Sequence, residues 1–565
     1  MTAVQGQAGA RVSPLALEAA GAAALAAALA LPVALTALLA PAEAAWAVVG
    51  LGATSFGGAS LALERRPLVP VGAFLLWTAT QRTAAALVAP WAEAEAVQAL
   101  LAYKEAMYLA LLAAGLAATA RRLLAGQRLD LLWADLLALG FLGLVGVHFL
   151  VSDAPSDDRL AYLRRWWAPC LLYLAGRLLW PDGAAWARGV VVYLALMGAV
   201  ASFGLVERFA LAPSFWTGLV PSVDLYRRLA EAGAIPSDWL FVYRGLPDGV
   251  LVSLPLEVPV RRLVSTFVEP TTLAFALALG VTLASGMLTA AQGRGRWAWA
   301  GVLGLLTAAL VFTTGRGGIL AALVGMALLA LACALAAWRG TRREVWRVLG
   351  AWAAILAPLG LAGATLALGL VVFSASHVPA RAEVEDFLLW SANMPPPQAA
   401  PGPAPGATGA SPPPAFDHPP GSAAEGASRH LSGLREGLEE AVRSPLGLGL
   451  GRAGVWSEAP EVGGESTIGA LAAQLGLPGL SLWAAFALAL ALGLVRLGLR
   501  PGDGPTCPLL ALGSAHLGLL AASWFTESAS GVTGVAAYFL LAGWALGIWG
   551  REGWASLRIG GGGKG

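Results

Sequence analysis

The chain is short of charge. Asp, Glu, Lys and Arg supply 12% of its 565 residues, against 58% hydrophobic. That balance excludes an ordinary soluble domain with a polar surface. A net charge of +2 gives no sign of a nucleic-acid partner. Cysteine is scarce as well. Cys170, Cys333 and Cys507 lie in or beside apolar runs without metal-ligand spacing, so they read as small hydrophobes. No convincing cleavage site follows the N-terminal apolar run, which reads as a first span and not as a signal peptide. No internal repeat is visible.

What is present is a series of apolar runs. About fourteen reach the length of a bilayer-crossing helix, roughly 20 residues each. They cover approximately 14–40, 44–63, 68–89, 97–120, 129–151, 165–180, 185–207, 270–291, 297–313, 317–338, 346–374, 467–497, 507–525 and 530–549. The runs are too long and too uniformly apolar for barrel strands. The expected fold is an all-α polytopic membrane protein with a lipid bilayer as its surroundings.

Loop charges set the expected orientation. With the N-terminus in the cytoplasm, Arg65–Arg66, Arg121–Arg122 with Arg128, Arg294 with Arg296, the run RGTRREVWR at 339–347, and Arg496 with Arg500 all fall inside. The tail with Arg551, Arg558 and Lys564 does too, so both termini are cytoplasmic. The acidic stretches WAEAEA (91–96) and SDAPSDD (152–158) fall outside, with two long loops. The chain divides into N-terminal helices (1–207), a first long outer loop (208–268), central helices (269–374), a second long outer loop (375–466) and C-terminal helices (467–565). The second loop contains a segment at 394–420 too rich in Pro, Gly and Ala to bury a core. SRHLSGLREGLEEAVRSP (428–445) follows, with Leu431, Leu434, Leu438 and Val442 on one helical face. It reads either as an amphipathic helix on the outer surface or as a helix on the loop's own small core.

Charges inside or at the mouth of apolar runs are costly and need an account. Arg316, in TTGRGGIL (313–320), reads either as a snorkelling side chain or as a ligand-binding one, with Gly317 and Gly318 letting a bulky group approach the backbone. Glu269 and Pro270, in RRLVSTFVEPTTLAF (261–275), suit a helix start. PLGLGLGRAGVW (445–456) and ESTIGALAAQLGLPGL (465–480) bring Arg452 and Glu465; Glu465 and Ser466 also suit a helix cap. Arg261, Arg262, Glu269, Arg316, Arg452 and Glu465 all fall at the outer face on independent segments. Cations and carboxylates at one depth beside glycine-rich backbone suit an anionic, lipid-linked substrate. Arginine binds pyrophosphate bidentately, and a carboxylate accepts a proton from an attacking hydroxyl.

Other intramembrane polar residues are Arg82, Lys104 with Glu105, His148, Arg177 and Glu207 with Arg208. Each reads as structural before catalytic. Arg208 and Lys104 lie towards the outer side, where they extend the basic cavity. Lys104 and Glu105 are adjacent, point to different parts of the helix surface and are not expected to pair. His377, His418 and His430 read as solvated, and Asp157–Asp158 lies far from the other blocks.

Three blocks together resemble the O-antigen polymerase and O-antigen ligase superfamily of bacterial envelope glycosyltransferases. STFVEPTTLA (265–274) is similar to the family's Thr-Phe-x-x-Pro helix start. TTGRGGIL is similar to its Thr/Ser-x-x-Arg-Gly-Gly-x-Leu signature, with Arg316 and Leu320. SPLGLGLGRAG with ESTIGALAAQLGLPGL is similar to the block that begins with His-Asn in ligases. Here Glu465 stands in place of that histidine, with Gly476 as the glycine after it, a departure that favours a polymerase over a ligase. The likeness runs from about residue 190 to 500.

The resemblance implies a GT-C fold in the bacterial inner membrane, a site facing the periplasm, and metal-independent inverting glycosyl transfer with no cofactor. Its substrates would be undecaprenyl-pyrophosphate-linked oligosaccharides of O-antigen, capsule or exopolysaccharide, with a chain-length regulator protein as a further partner. Arg316 would hold the pyrophosphate leaving group with Arg261, Arg262, Arg452 and Arg208. Glu465 would orient or deprotonate the acceptor hydroxyl. The rival readings are a ligase, a transporter of envelope intermediates and a non-catalytic scaffold. Polar residues at one face, and not at the midplane, argue against a transporter.

Overall fold

A computed structural model of the protein describes residues 18, 20–28, 34, 42–127, 129–211, 215, 220, 222–231, 251–253, 259–261, 263–313, 315–338, 423–454, 457, 460–463, 466–500, 506–526, 532–550 and 557–559. They form helices α1 (Ala42–Ala62), α2 (Leu68–Val88), α3 (Ala94–Leu124), α4 (Trp133–Val151), α5 (Ser156–Arg177), α6 (Gly183–Ala210), α7 (Ser222–Glu231), α8 (Pro270–Ala290), α9 (Arg294–Phe312), α10 (Arg316–Trp338), α11 (Ala423–Arg443), α12 (Thr467–Gly498), α13 (Thr506–Ser523) and α14 (Val532–Trp549). Two short antiparallel pairs are added. β1 (Leu129–Leu131) pairs with β4 (Leu557–Ile559), and β2 (Leu251–Ser253) pairs with β3 (Pro259–Arg261).

Among the described residues, eight helices are long and apolar enough to cross a membrane: α1, α3, α4, α6, α8, α9, α10 and α12. The shorter α13 and α14 are apolar as well. The protein is an all-α, multi-pass membrane protein. Helices occupy each expected span except 14–40, described only in part, and 346–374, outside the described residues. The expected span at 129–151 opens as a strand, and that at 165–180 starts earlier, at Ser156. α6 runs on to Ala210, into the segment expected as the first outer loop.

Burial separates axis from rim. Of the apolar window of α8, 83% is enclosed by protein, against 22% for α1 and 28% for α9. α8 is therefore the axis, contacting α6, α9, α10, α13 and α14, while α1 and α9 are the least enclosed by the other described residues. The exposed tryptophans fit this embedding. Trp46, Trp91 and Trp524 sit near helix termini at one end of the bundle, Trp133 and Trp297 at the other, as interfacial indoles do.

α12 is broken. Gly476 has φ +63° inside it, and Pro478 follows. Proline has no N–H for the carbonyl of Gln474. That carbonyl instead accepts from Gly449 N–H (3.1 Å), the carbonyl of Ala473 accepts from Leu448 N–H (2.8 Å), and Leu477 N–H donates to Pro445 O (2.9 Å). The glycine-rich stretch after α11 is thus a splint on the break. Its turns need φ of +87°, +104° and +87° at Gly447, Gly449 and Gly451, which glycine alone adopts at no steric cost. Gln474 locks the joint. Fully buried, it donates to Ala453 O and accepts from Trp166 Nε1 (3.3 Å).

α11 lies on α12, and not through the face its leucines suggest. Gly433, Gly437 and Ala441 are buried, with Gly437 against the backbone of Gly469. Leu431 and Val442 are exposed, and Leu434 and Leu438 half-buried. Small residues win the interface because they let two backbones approach closely.

Candidate functional site

Four helix starts converge at one end of the bundle, the mouth. A Cβ on Gly318 of α10 would meet the backbone of Ala274 of α8 at 2.6 Å, and one on Gly534 of α14 would meet the carbonyl of Thr272 at 2.8 Å. α12 joins them through the end of α13. Ser466 Oγ donates to Trp524 O (2.8 Å) and Thr467 Oγ1 to Thr526 O (2.6 Å), while a Cβ on Gly317 would meet the Thr526 methyl at 2.7 Å. The N-termini of α8, α10, α12 and α14 thus lie together, each with the partial positive charge of its first turn.

Arg316 is the first residue of α10 and is exposed at this mouth. Gly317 and Gly318 are explained by packing against Phe275, Thr526 and Ala274, so no ligand is needed to account for them. Thr313 accounts for the turn before them: its hydroxyl accepts from Gly315 N–H at 3.1 Å.

Glu269 occupies the cap position of α8, yet its side chain makes no capping hydrogen bond. It forms an ion pair with Arg82 of α2 instead, and both are half-buried. Gln81 next door reaches Thr533 at the start of α14 (3.1 Å). Further along, Lys104 of α3 pairs with Glu105 at 3.1 Å and donates to Leu101 O at 2.9 Å. The expectation that these neighbours do not pair is corrected: curled back to its own helix, the long Lys104 side chain reaches the adjacent carboxylate. The charges of Arg82 and Arg164 both reach Lys104. Three cations and two carboxylates thus form one polar region between α2, α3, α5 and α8.

The segment before Glu269 is strained and firmly held. Ser265 and Val268 have φ of +50° and +54°, a region non-glycine residues rarely adopt, at about 1–3 kcal/mol each. Surrounding helices fix it. Ser265 Oγ donates to Val200 O (2.7 Å), Thr266 Oγ1 to Ala79 O (2.7 Å), Thr83 Oγ1 to Thr266 O (2.7 Å) and Tyr226 OH to Val268 O (3.0 Å). Leu263 N–H reaches Phe312 O at 2.9 Å. The result is a rigid entry that presents Glu269 to Arg82.

The other expected residues fall apart from this pair. Arg208 is buried over the rings of Phe209 and Phe312, beside the buried Glu207, whose carboxylate accepts from Val264 N–H. Glu207 thus braces the start of the strained segment from behind. Arg452 is held by Asp153 and by Glu461 (2.9 Å) on the splint over α12; its hydrogen bond holds the Asp153 carboxyl below the usual carboxylate range. Arg261 is described only as the backbone of β3, and Arg262 lies outside the described residues. Glu465 also lies outside them. Ser466 caps α12, accepting from Gly469 N–H at 3.0 Å, and so brings the chain directly after Glu465 to the mouth. His377 and His418 lie outside the described residues.

Arg82 read from the sequence as structural before catalytic; the fold places it at the mouth, against Glu269. Its only signal was a charge in an apolar helix, shared with Arg177. Arg177 proves structural: at the far end of the bundle it pairs with Asp135 (3.4 Å) and donates to Asp130 O (2.6 Å).

The helix directions put Arg65, Arg66, Arg121, Arg122, Arg294, Arg296, Arg496 and Arg500 at that far end. Glu93, Glu95, Asp153, Asp157 and Asp158 lie at the mouth end. The chain matches no protein-family model and no curated protein.

Proposed function

We propose that the protein is a polysaccharide polymerase of the O-antigen polymerase type. It would be a metal-independent, inverting glycosyltransferase of GT-C fold that joins undecaprenyl-pyrophosphate-linked repeat units at the outer face of the bacterial inner membrane. The observation that carries this reading is the convergence of four helix N-termini with Arg316 and the Arg82–Glu269 pair at one end of the bundle. A pyrophosphate is drawn to such a place by helix dipoles and guanidinium together. The arginines of the short connections between α1 and α2, α3 and α4, α8 and α9, and α12 and α13 lie at the far end, which supports an outward-facing mouth.

In this reading Arg316 holds the pyrophosphate of the growing chain as it leaves, with Arg82 in reserve behind Glu269. The acceptor hydroxyl of a second lipid-linked unit attacks the anomeric carbon from the opposite face. Glu465 orients that hydroxyl and takes its proton. Glu269 is fixed too rigidly to travel with substrate, and it sets the local charge balance.

The test is polymer formation by purified protein from undecaprenyl-pyrophosphate repeat units. Wild type is expected to yield a ladder, and Arg316→Ala and Glu465→Gln to yield none while remaining folded. A normal ladder from both variants would overturn the assignment of these residues. Transfer of whole chains to a different acceptor, with no ladder, would identify a ligase instead.

A further inference from the structure

α10 and α13 run antiparallel in unusually close contact. A Cβ on Gly325 would meet Ser514 O and Ala515 Cα, each at 3.3 Å, and a Cβ on Gly518 would meet the amide nitrogen of Gly325 at 2.9 Å and the carbonyl carbon of Ala321 at 3.0 Å. This seam fixes a register. Each step along α10 away from the mouth is matched by a step back along α13. Two further turns from Gly325 bring Cys333 opposite Cys507. The side chains agree with the register: each of the two thiols has the other as a neighbour, and neither is bonded in a disulfide. Cys333 is buried and Cys507 half-exposed at the start of α13. Cys170, the third cysteine, is buried on α5.

We propose that Cys333 and Cys507 are a modification site, a dithiol that closes to an intramolecular disulfide across the α10–α13 seam when a small disulfide is present. A disulfide requires Cα atoms within about 4.4–6.8 Å, and glycine-mediated contact brings helix backbones to such separations. The half-exposed Cys507 reacts first. Its thiolate attacks one sulfur of the small disulfide, that S–S bond breaks, and one small thiol leaves, giving a mixed disulfide on Cys507. The Cys333 thiolate then attacks the Cys507 sulfur and expels the second small thiol. The pair loses two protons and two electrons, and the small disulfide is reduced to two thiols.

The bond would pin the far end of the helix that begins with Arg316. In the proposed orientation it lies at the cytoplasmic end, where the resting state is the dithiol and the bond forms under oxidative load. The inference does not depend on the enzymatic reading.

Purified, folded full-length protein is treated with oxidised glutathione, and in parallel with diamide, then denatured and titrated for thiols. Two of the three thiols are expected to disappear, the intact mass to fall by two hydrogens, and the peptides bearing Cys333 and Cys507 to be recovered joined. Cys333→Ser and Cys507→Ser should each abolish the joined peptides, and Cys170→Ser should leave them. Three free thiols after both oxidants, stable glutathionylation of Cys507 without closure, or a cross-link between two chains would each overturn the proposal.

Discussion

Arginine is used in opposite ways at the two ends of the bundle. At the far end Arg177 is buried and consumed by its neighbours: Asp135 pairs with it, Tyr173 OH donates to the same carboxylate at 2.6 Å, and Asp135 also accepts from Leu132 N–H at 2.8 Å. Arg65 and Arg122 each lie over the ring of Trp180. At the mouth Arg316 is exposed among helix starts, and Arg82 faces Glu269 in a half-open region that also feels Lys104. The side chain is the same, and its neighbourhood separates an enclosed arginine from exposed or half-buried ones. Far-end substitutions should therefore be read in stability, and mouth substitutions in activity.

The largest effect is expected for Arg177→Ala. It strands the buried Asp135 charge and should cost about 3–5 kcal/mol, seen as a lower thermal midpoint in detergent. A change under about 1 kcal/mol would erase the contrast between the two ends. Arg316→Ala is expected to do the reverse. Polymer formation should fall by about 100- to 1,000-fold, while stability moves by no more than about 0.5 kcal/mol.

Gly318→Ala sharpens the division between an arginine proposed to bind and a glycine that packs. Overpacking against Ala274 should cost about 1–3 kcal/mol, measured by thermal unfolding, and lower activity only through the folded fraction. Arg452→Ala should have the smallest effect, because its partners Asp153 and Glu461 are largely exposed. The sign of its pH dependence is fixed. Arg452 lowers the Asp153 pKa in the folded state, so the pair's stabilisation is fully present above the unfolded value of about 4 and is lost as pH falls through the lower folded value. Thermal midpoints measured across roughly pH 3–6 should show a shallower acid-side decline in the variant. An unchanged slope would remove Arg452 from the account of the splint.

Much of the fold was legible because a bilayer enforces it. Apolar runs are local signals, and they located the helices. Arg316 stood out for the same reason. The glycines beside it were noticed correctly and explained wrongly: packing on α8 uses them, and a sequence does not say which neighbour approaches. The Arg82–Glu269 pair was out of reach, since its members lie on distant segments and only the bundle brings them together. The amphipathic reading of α11 followed its leucines, while Gly433, Gly437 and Ala441, spaced one helical turn apart, carried the true interface. Gly476 and Pro478 carry the local signal of the break inside the span read as continuous at 467–497, and glycine at every second position from 447 to 451 is the backbone signature of the segment that repairs it.

That repair bears on how the chain is made. A helix with a reversed glycine and a proline inside it would leave buried carbonyls without partners, at several kcal/mol each. The splint precedes α12 in the chain, so synthesis delivers the hydrogen-bond donors before the carbonyls that need them. Insertion of α12 can then be a docking event, with its defect covered as it arrives. A circular permutation that moved residues 445–454 after α12 would keep every residue and lose that order of arrival.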